Sequence, residues 1–198
     1  MTPLHDPGRR FAMSSLASLT LGGAAHATTH NPDAPKRAKS TILVACFSRT
    51  GNTRVVAGLL QRAYAADSFE IEPAMPYPDE YLATVEQARI ERDRGVEPAL
   101  KATVPDIGSY DTVLLGFPIW GETAPPIIRS FLSAHDLSGK QLVPFITHGG
   151  YGAGDSQKVI ARHAPRARLH PGFLMQGEQE RQVMERVNAW LRKAPVPR

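Results

Sequence analysis

The sequence predicts an α/β fold: an open, doubly wound, five-stranded parallel sheet with helices on both faces. Two observations carry the prediction. From residue 41 onward, short and almost wholly apolar runs alternate with longer stretches in which apolar residues recur every three or four positions. The main apolar runs are continuous rather than alternating with polar residues, as in strands covered by helices on both faces. Strict alternation of strand and helix makes each connection a crossover and the sheet parallel. At 198 residues the chain has room for one such domain with a full core.

The elements follow in order. TILVACF (41–47) is the first buried strand, and NTRVVAGLLQRAYAA is a helix whose apolar side carries Val55, Val56, Leu59, Leu60 and Tyr64. SFEIEPA alternates as a short strand. PDEYLATVEQARIERDRG is helical, with Tyr81, Val85, Ala88 and Ile90 expected inward and Gly95 ending it. YDTVLLGFPIW is a second strongly apolar strand. APPIIRSFLSAHD follows as a helix with prolines in its first turn, where a missing N–H costs little. KQLVPFITHGG is the next apolar strand, and DSQKVIARHAPRA is a short helix opened by Asp155. RLHPGFLMQG reads as one last strand, and GEQERQVMERVNAWLRKA as a closing amphipathic helix.

Composition narrows the function. The chain is 42% hydrophobic and 21% charged, as ordinary globular domains are. Its formal charge of +4 comes from 23 basic against 19 acidic residues, scattered without a run, so no nucleic-acid footprint is expected. The single cysteine, Cys46, forms no intramolecular disulfide and sits in an apolar run as a small hydrophobe. The seven histidines are dispersed and match no zinc spacing.

The N-terminus differs from the rest. Arg9-Arg10-Phe11 precedes a weakly apolar, small-residue stretch and an Ala25-His26-Ala27 step. Basic region, short apolar region and small-residue cleavage site read as an export signal of the twin-arginine type over 1–27, which implies a periplasmic or otherwise exported protein; the other reading is a disordered tail. Residues 28–40 read as a polar leader and 41–198 as the folded domain. The apolar stretch is too short and too rich in Ser and Gly for a membrane span.

Three unusual loops leave the ends of the first, third and fourth strands, where open parallel sheets bind ligands. In the first, Ser48-Arg49-Thr50-Gly51-Asn52-Thr53 opens a helix. Unpaired N–H groups and the positive helix end attract an anion, Gly51 permits a tight turn, and Ser48, Thr50 and Thr53 add hydroxyls. The set suits a terminal phosphate monoester; the other reading is an ordinary helix cap by Ser48 or Thr50. No Gly-Lys-Ser/Thr is present for a Walker loop. Position 52, where a cysteine phosphatase would carry arginine, is Asn52, and the acids a magnesium-binding receiver needs are missing from the strand end. The second loop holds Pro118, Ile119, Trp120, Gly121 and Glu122; the third holds Thr147, His148, Gly149, Gly150, Tyr151 and Gly152. An aromatic on each, with glycines exposing backbone groups, suits a flat conjugated ring. Alternatively, Trp120 is a core aromatic and the glycines make ordinary turns.

On these residues, from 41 to 194, the chain resembles the flavodoxin family, in particular its small bacterial flavodoxin-like members. The family's [ST]-x-T-G-x-T signature stands here as Ser48 to Thr53. YDTVLLGFPIWGETAPPIIRSFL and SGKQLVPFITHGGYGAG are similar to its two ring-loop segments. The resemblance implies a flavodoxin-like fold, with the phosphate of FMN on the first loop and the isoalloxazine ring on the other two. It also implies electron transfer to a redox partner protein or a small electron acceptor, as carrier or small reductase. The alternative is a flavin-free module of the same fold that takes only phosphate. Two features depart from the family: Gly121-Glu122 stands where relatives commonly have a second aromatic, and the chain is basic where electron carriers are usually acidic.

Overall fold

The computed structural model describes residues 40–177 and 182–196. The export signal, all of the leader but Ser40, and the first part of the closing helical stretch lie outside the described residues. Described in chain order are β1 (Ile42–Cys46), α1 (Asn52–Tyr64), β2 (Asp67–Glu70), α2 (Tyr81–Asp93), β3 (Thr112–Pro118), α3 (Pro126–Ala134), β4 (Gln141–His148), α4 (Ser156–His163), β5 (Arg168–Leu169), β6 (Phe173–Gln176) and α5 (Val183–Leu191). Every strand pairing is parallel, in the order β2-β1-β3-β4-β5, with β6 also on β4. The expected doubly wound sheet is therefore present.

Why β1 and the middles of β3 and β4 are apolar is visible in the core. Successive strand side chains point to opposite faces. Leu43 and Ala45 join Val113, Leu115, Ile127, Phe131 and Ile160 in one cluster, under α3 and α4. Val44 and Cys46 join Leu114, Val143, Val56, Leu60 and Val187 in the other, under α1 and α5. Both faces are covered, so the middle of each strand is apolar and polar residues such as Thr112 and Thr147 stand near the strand ends. The prolines before α3 behave as expected: Pro126 occupies its first turn and is buried.

The expected single last strand is two short ones. β5 and β6 both pair with β4, on either side of a break at residues 170–172. Pro171 cannot donate to the ladder. Gly172 approaches the β4 backbone so closely that a Cβ there would lie 2.4 Å from the carbonyl oxygen of Pro144. The sheet thus has five strand positions, the last one broken.

Helix α2 is rotated from the expected orientation. Its buried residues are Thr84 and Ala88, whereas Tyr81 and Val85 are 66% and 46% exposed. A polar chain anchors the helix: Tyr77 Oη donates to Glu91 Oε2 at 2.8 Å, and Gln87 Nε2 donates to Glu91 Oε1 at 2.8 Å. Burial, and then the bond to Glu91, holds the Tyr77 phenol well above its ordinary pKa. With Glu91 turned inward, Tyr81 and Val85 come to the rim of a cavity. Among the described residues, no helix is long and apolar enough to cross a membrane.

Candidate functional site

The chain reverses direction across the sheet between β1 and β3: α1 leads from β1 to one edge, while α3 leads from β3 toward the other. The three loops predicted from sequence meet at the carboxyl ends of β1, β3 and β4, at and beside this point.

In the first loop Gly51 caps α1 with φ of 95°, a conformation that glycine adopts freely and L residues rarely do. Among the described residues, no acceptor engages the backbone N–H groups of Arg49, Thr50, Gly51, Asn52 or Thr53. The next N–H, of Arg54, donates to Ser48 Oγ at 3.2 Å. The N-cap residue is thus Gly51, not Ser48 or Thr50 as the plainer reading expected; Ser48 satisfies one first-turn N–H from outside the helix and leaves the five preceding amides free. Thr50 is exposed. Thr53 departs from expectation. Its hydroxyl is buried and lies 2.8 Å from that of Thr147, so the two side chains join the first loop to the end of β4. Arg49 turns outward and donates to the carbonyls of Asp79 at 2.6 Å and Pro78 at 3.4 Å. The Arg54 guanidinium braces the loop, donating to the Ser48 carbonyl at 3.3 Å and to Glu70.

The second loop is a tight turn. Trp120 N–H donates to the Thr123 carbonyl at 3.0 Å and Thr123 N–H returns to Trp120 at 3.3 Å. Its central residues, Gly121 and Glu122, have φ of 56° and 63°, both positive as a type I′ turn requires. Trp120 is half-buried and meets Phe47 and Tyr77 edge-on, with ring centroids 5.2 and 5.0 Å away. It is thus partly a core aromatic, held rigidly, with its remaining face on a cavity. Pro118 and Ile119 continue β3, and Ile119 N–H donates to the Thr147 carbonyl at 2.8 Å.

The third loop is organised by His148, whose Nδ1 accepts from the N–H groups of Gly150 and Gly152 at 3.1 and 3.2 Å. Gly149 and Gly150 are exposed, and Tyr151 is 86% exposed. Tyr151 and Trp120 therefore do not face each other across a formed slot. The second and third loops also touch at their far ends, where Asp155 N–H donates to the Glu122 carbonyl at 3.0 Å.

The apolar cavity at this end, about 350 Å³, is bordered by Arg49 and Thr50, by Pro118 to Gly121, and by one side of α2. Its α2 wall, with Tyr81, Val85, Arg89 and Arg92, was not read from the sequence. Helical periodicity shows which residues share a face, but a core face and a cavity wall have the same pattern. A second cavity of about 310 Å³, at the opposite end of the sheet, contains His135. Its Nε2 accepts from Val104 N–H at 2.9 Å and its Nδ1 bonds the Phe131 carbonyl at 2.7 Å, so the backbone satisfies both ring nitrogens. Among the described residues, no cluster of His, Cys, Asp or Glu could hold a metal ion.

A parallel, doubly wound sheet with its unusual loops gathered at the switch point defines the class of open α/β domains. The sequence profile of the flavodoxin family matches residues 41–194, and the chain belongs to that family. It is 35% identical to a candidate flavoprotein from Bacteroides eggerthii, with 80% of this chain and 100% of that one covered and a TM-score of 0.69. A candidate flavoprotein from Bacteroides uniformis is 30% identical, covering 76% and 99%, with a TM-score of 0.67. The fold is shared with a flavoprotein from Lactobacillus acidophilus solved in complex with FMN, at 19% identity, 75% and 98% coverage and a TM-score of 0.59. A comparison with curated proteins finds no match.

Proposed function

We propose that this flavodoxin-family chain binds FMN and serves as a redox protein, either a carrier or a small flavin-dependent reductase. The observation that carries the reading is the run of five unengaged N–H groups from Arg49 to Thr53 at the positive end of the 13-residue helix α1. Concave runs of amides at a helix start take phosphate, because the charge is met by fixed dipoles already aimed at it. The residues present thus fit the phosphate of FMN. Thr50 adds its exposed hydroxyl, Gly51 provides the turn, and the Thr53–Thr147 bond fixes the cradle to the sheet. On the second and third loops the N–H groups of Gly121, Gly149 and Tyr151 have no acceptor among the described residues and can meet a ring edge, with Trp120 held in place by Phe47 and Tyr77. Bound FMN supplies one- or two-electron chemistry. The protein's part is to hold it at the sheet edge, where a redox partner or small acceptor reaches it. With its formal charge of +4 the chain attracts acidic partners at long range.

Titration of the flavin-free protein with FMN tests this: one equivalent should bind, with quenching of flavin fluorescence. Binding of inorganic phosphate without FMN would instead establish the flavin-free module.

The export reading is part of the proposal and rests on Arg9, Arg10 and the Ala25-His26-Ala27 step. The twin-arginine route moves folded proteins, which suits a cofactor loaded before export. Replacing both arginines with lysine should retain the precursor in the cytoplasm; unchanged export and processing would remove the twin-arginine assignment.

A further inference from the structure

The cavity between α2 and the second loop has a chemistry of its own. Ile119 and Trp120 form one apolar wall, and Val85, Ala88 and the Tyr81 ring form the other. Tyr81 and Val85 are more exposed than apolar residues of their size usually are, because no other part of the described chain covers them. The border also carries three guanidinium groups, Arg49, Arg89 and Arg92, and no carboxylate among the described residues. The neighbouring acids take up Arg89 and one edge of Arg92, whose Nη1 reaches only the Gly121 carbonyl at 3.5 Å. Glu86 takes two bonds from Arg89, and Asp93 is shared between Arg89 and Arg92. Arg49 is held only by the carbonyls of Pro78 and Asp79. Glu80 interacts with Arg49 through space, but its carboxylate is committed to the N–H groups of Leu82 and Ala83 at the start of α2. Arg49 therefore stands at the mouth of an apolar slot with no direct ion pair.

We infer that this cavity is a separate binding site for a small planar aromatic anion, a fused-ring carboxylate or sulfonate. The rings lie between Trp120 and the Tyr81–Val85 side of α2, and Arg49 and Arg92 take the acidic group. Guanidinium groups suit this role twice over, binding carboxylates through a planar fork and lying flat on aromatic faces. The volume of about 350 Å³ is at the small end of ligand sites. The oxidised flavin ring is uncharged and its phosphate has the first loop, so a cluster of arginines on the α2 side of the second loop answers to a different anion. The third loop contributes nothing to this cavity's lining, whereas the flavin reading uses it. A molecule here would border the flavin at the second loop and at Arg49 and Thr50 of the first, as a small electron donor or acceptor must. The inference goes beyond the flavin reading; the separateness of the two sites rests on that reading, while binding of the aromatic anion to the flavin-free chain does not.

Calorimetric titration of the full chain with 2-naphthoate and with its neutral counterpart 2-naphthamide, with and without saturating FMN, tests it. Naphthoate should bind one to one and about tenfold more tightly than the amide, whether or not FMN is present. Arg49→Gln should weaken naphthoate about fivefold to tenfold and leave the amide unchanged, and Val85→Asp should weaken both. Should Arg49→Gln fail to fold, Arg92→Gln on the helix surface reads the same interaction. Mutual exclusion of naphthoate and FMN would assign the cavity to the flavin and overturn the inference. Equal binding of acid and amide, insensitivity to the arginine variants, or no binding at millimolar ligand would overturn it as well. If FMN itself fails to bind, the flavin-free titrations still decide the question.

Discussion

Gly154→Ala tests how the second and third loops are held together. Gly154 has φ of 53° and sits against the second loop, so that an added Cβ would lie 1.7 Å from the carbonyl oxygen of Glu122. Two costs follow. An L residue in the left-handed region loses roughly 1–2 kcal/mol. The contact also forces the loops apart by more than the 3.0 Å Asp155–Glu122 hydrogen bond can follow, for about 1 kcal/mol more. The sum, about 2–3 kcal/mol, corresponds to a fall in Tm of about 4–12 °C for a domain of this size. Gly95→Ala isolates the first cost, since Gly95 has φ of 66° and nothing within 4 Å of its missing Cβ. Thermal unfolding followed by circular dichroism should show a clearly larger loss for Gly154→Ala than for Gly95→Ala. Equal losses would refute the close contact between the two loops.

Three further outcomes are expected. Thr53→Val strands the buried hydroxyl of Thr147 and should cost about 1–3 kcal/mol in urea unfolding. Adding Thr147→Val should recover much of it, and strict additivity of the two losses would remove the bond as the cause. Glu122→Asn keeps the turn with a residue that tolerates positive φ, and should raise stability by about 1 kcal/mol; a lower Tm would contradict the turn assignment. Burial, and then Glu70, pushes the Cys46 thiol up to about 12, so native protein at pH 8 should react with thiol reagents far more slowly than urea-unfolded protein. Because the folded pKa is the higher one, the contribution of Cys46 is intact below the unfolded pKa and lost as pH rises toward 12. The alkaline fall in stability should therefore be smaller in Cys46→Ala, and an identical pH profile would contradict the shift.

What the sequence reveals here depends on the range of the physics involved. Doubly covered strands such as Ile42–Cys46 must be apolar at every position, so the sheet is legible from local composition. The break at Pro171-Gly172 has local signals, but the close approach of Gly172 to Pro144 is a contact across strands that periodicity does not encode. The candidate site divides in the same way. The turn from Ser48 to Thr53 is contiguous and its helix context is local, so its cradle shape was readable. The partner of Thr53 lies 94 residues away and was not. Trp120 appeared as either a ring contact or a core residue, and the structure gives it both surroundings, with Phe47 and Tyr77 behind and a cavity in front. The α2 wall went unread because Glu91, drawn inward by Tyr77, sets the helix rotation, and nothing local announces that bond.

The most direct measurement is the ratio of the dissociation constants of FMN and riboflavin, in the wild type and in Thr50→Ala. Two ligands that differ only in the phosphate isolate the first loop from everything the ring touches. The account predicts that FMN binds more tightly than riboflavin. It also predicts that Thr50→Ala weakens FMN roughly tenfold to a hundredfold, the worth of about 1.5–3 kcal/mol for a hydrogen bond to a charged group, with riboflavin little changed. Equal affinity for the two flavins, or equal weakening of both by Thr50→Ala, would show that the turn from Ser48 to Thr53 does not hold the phosphate.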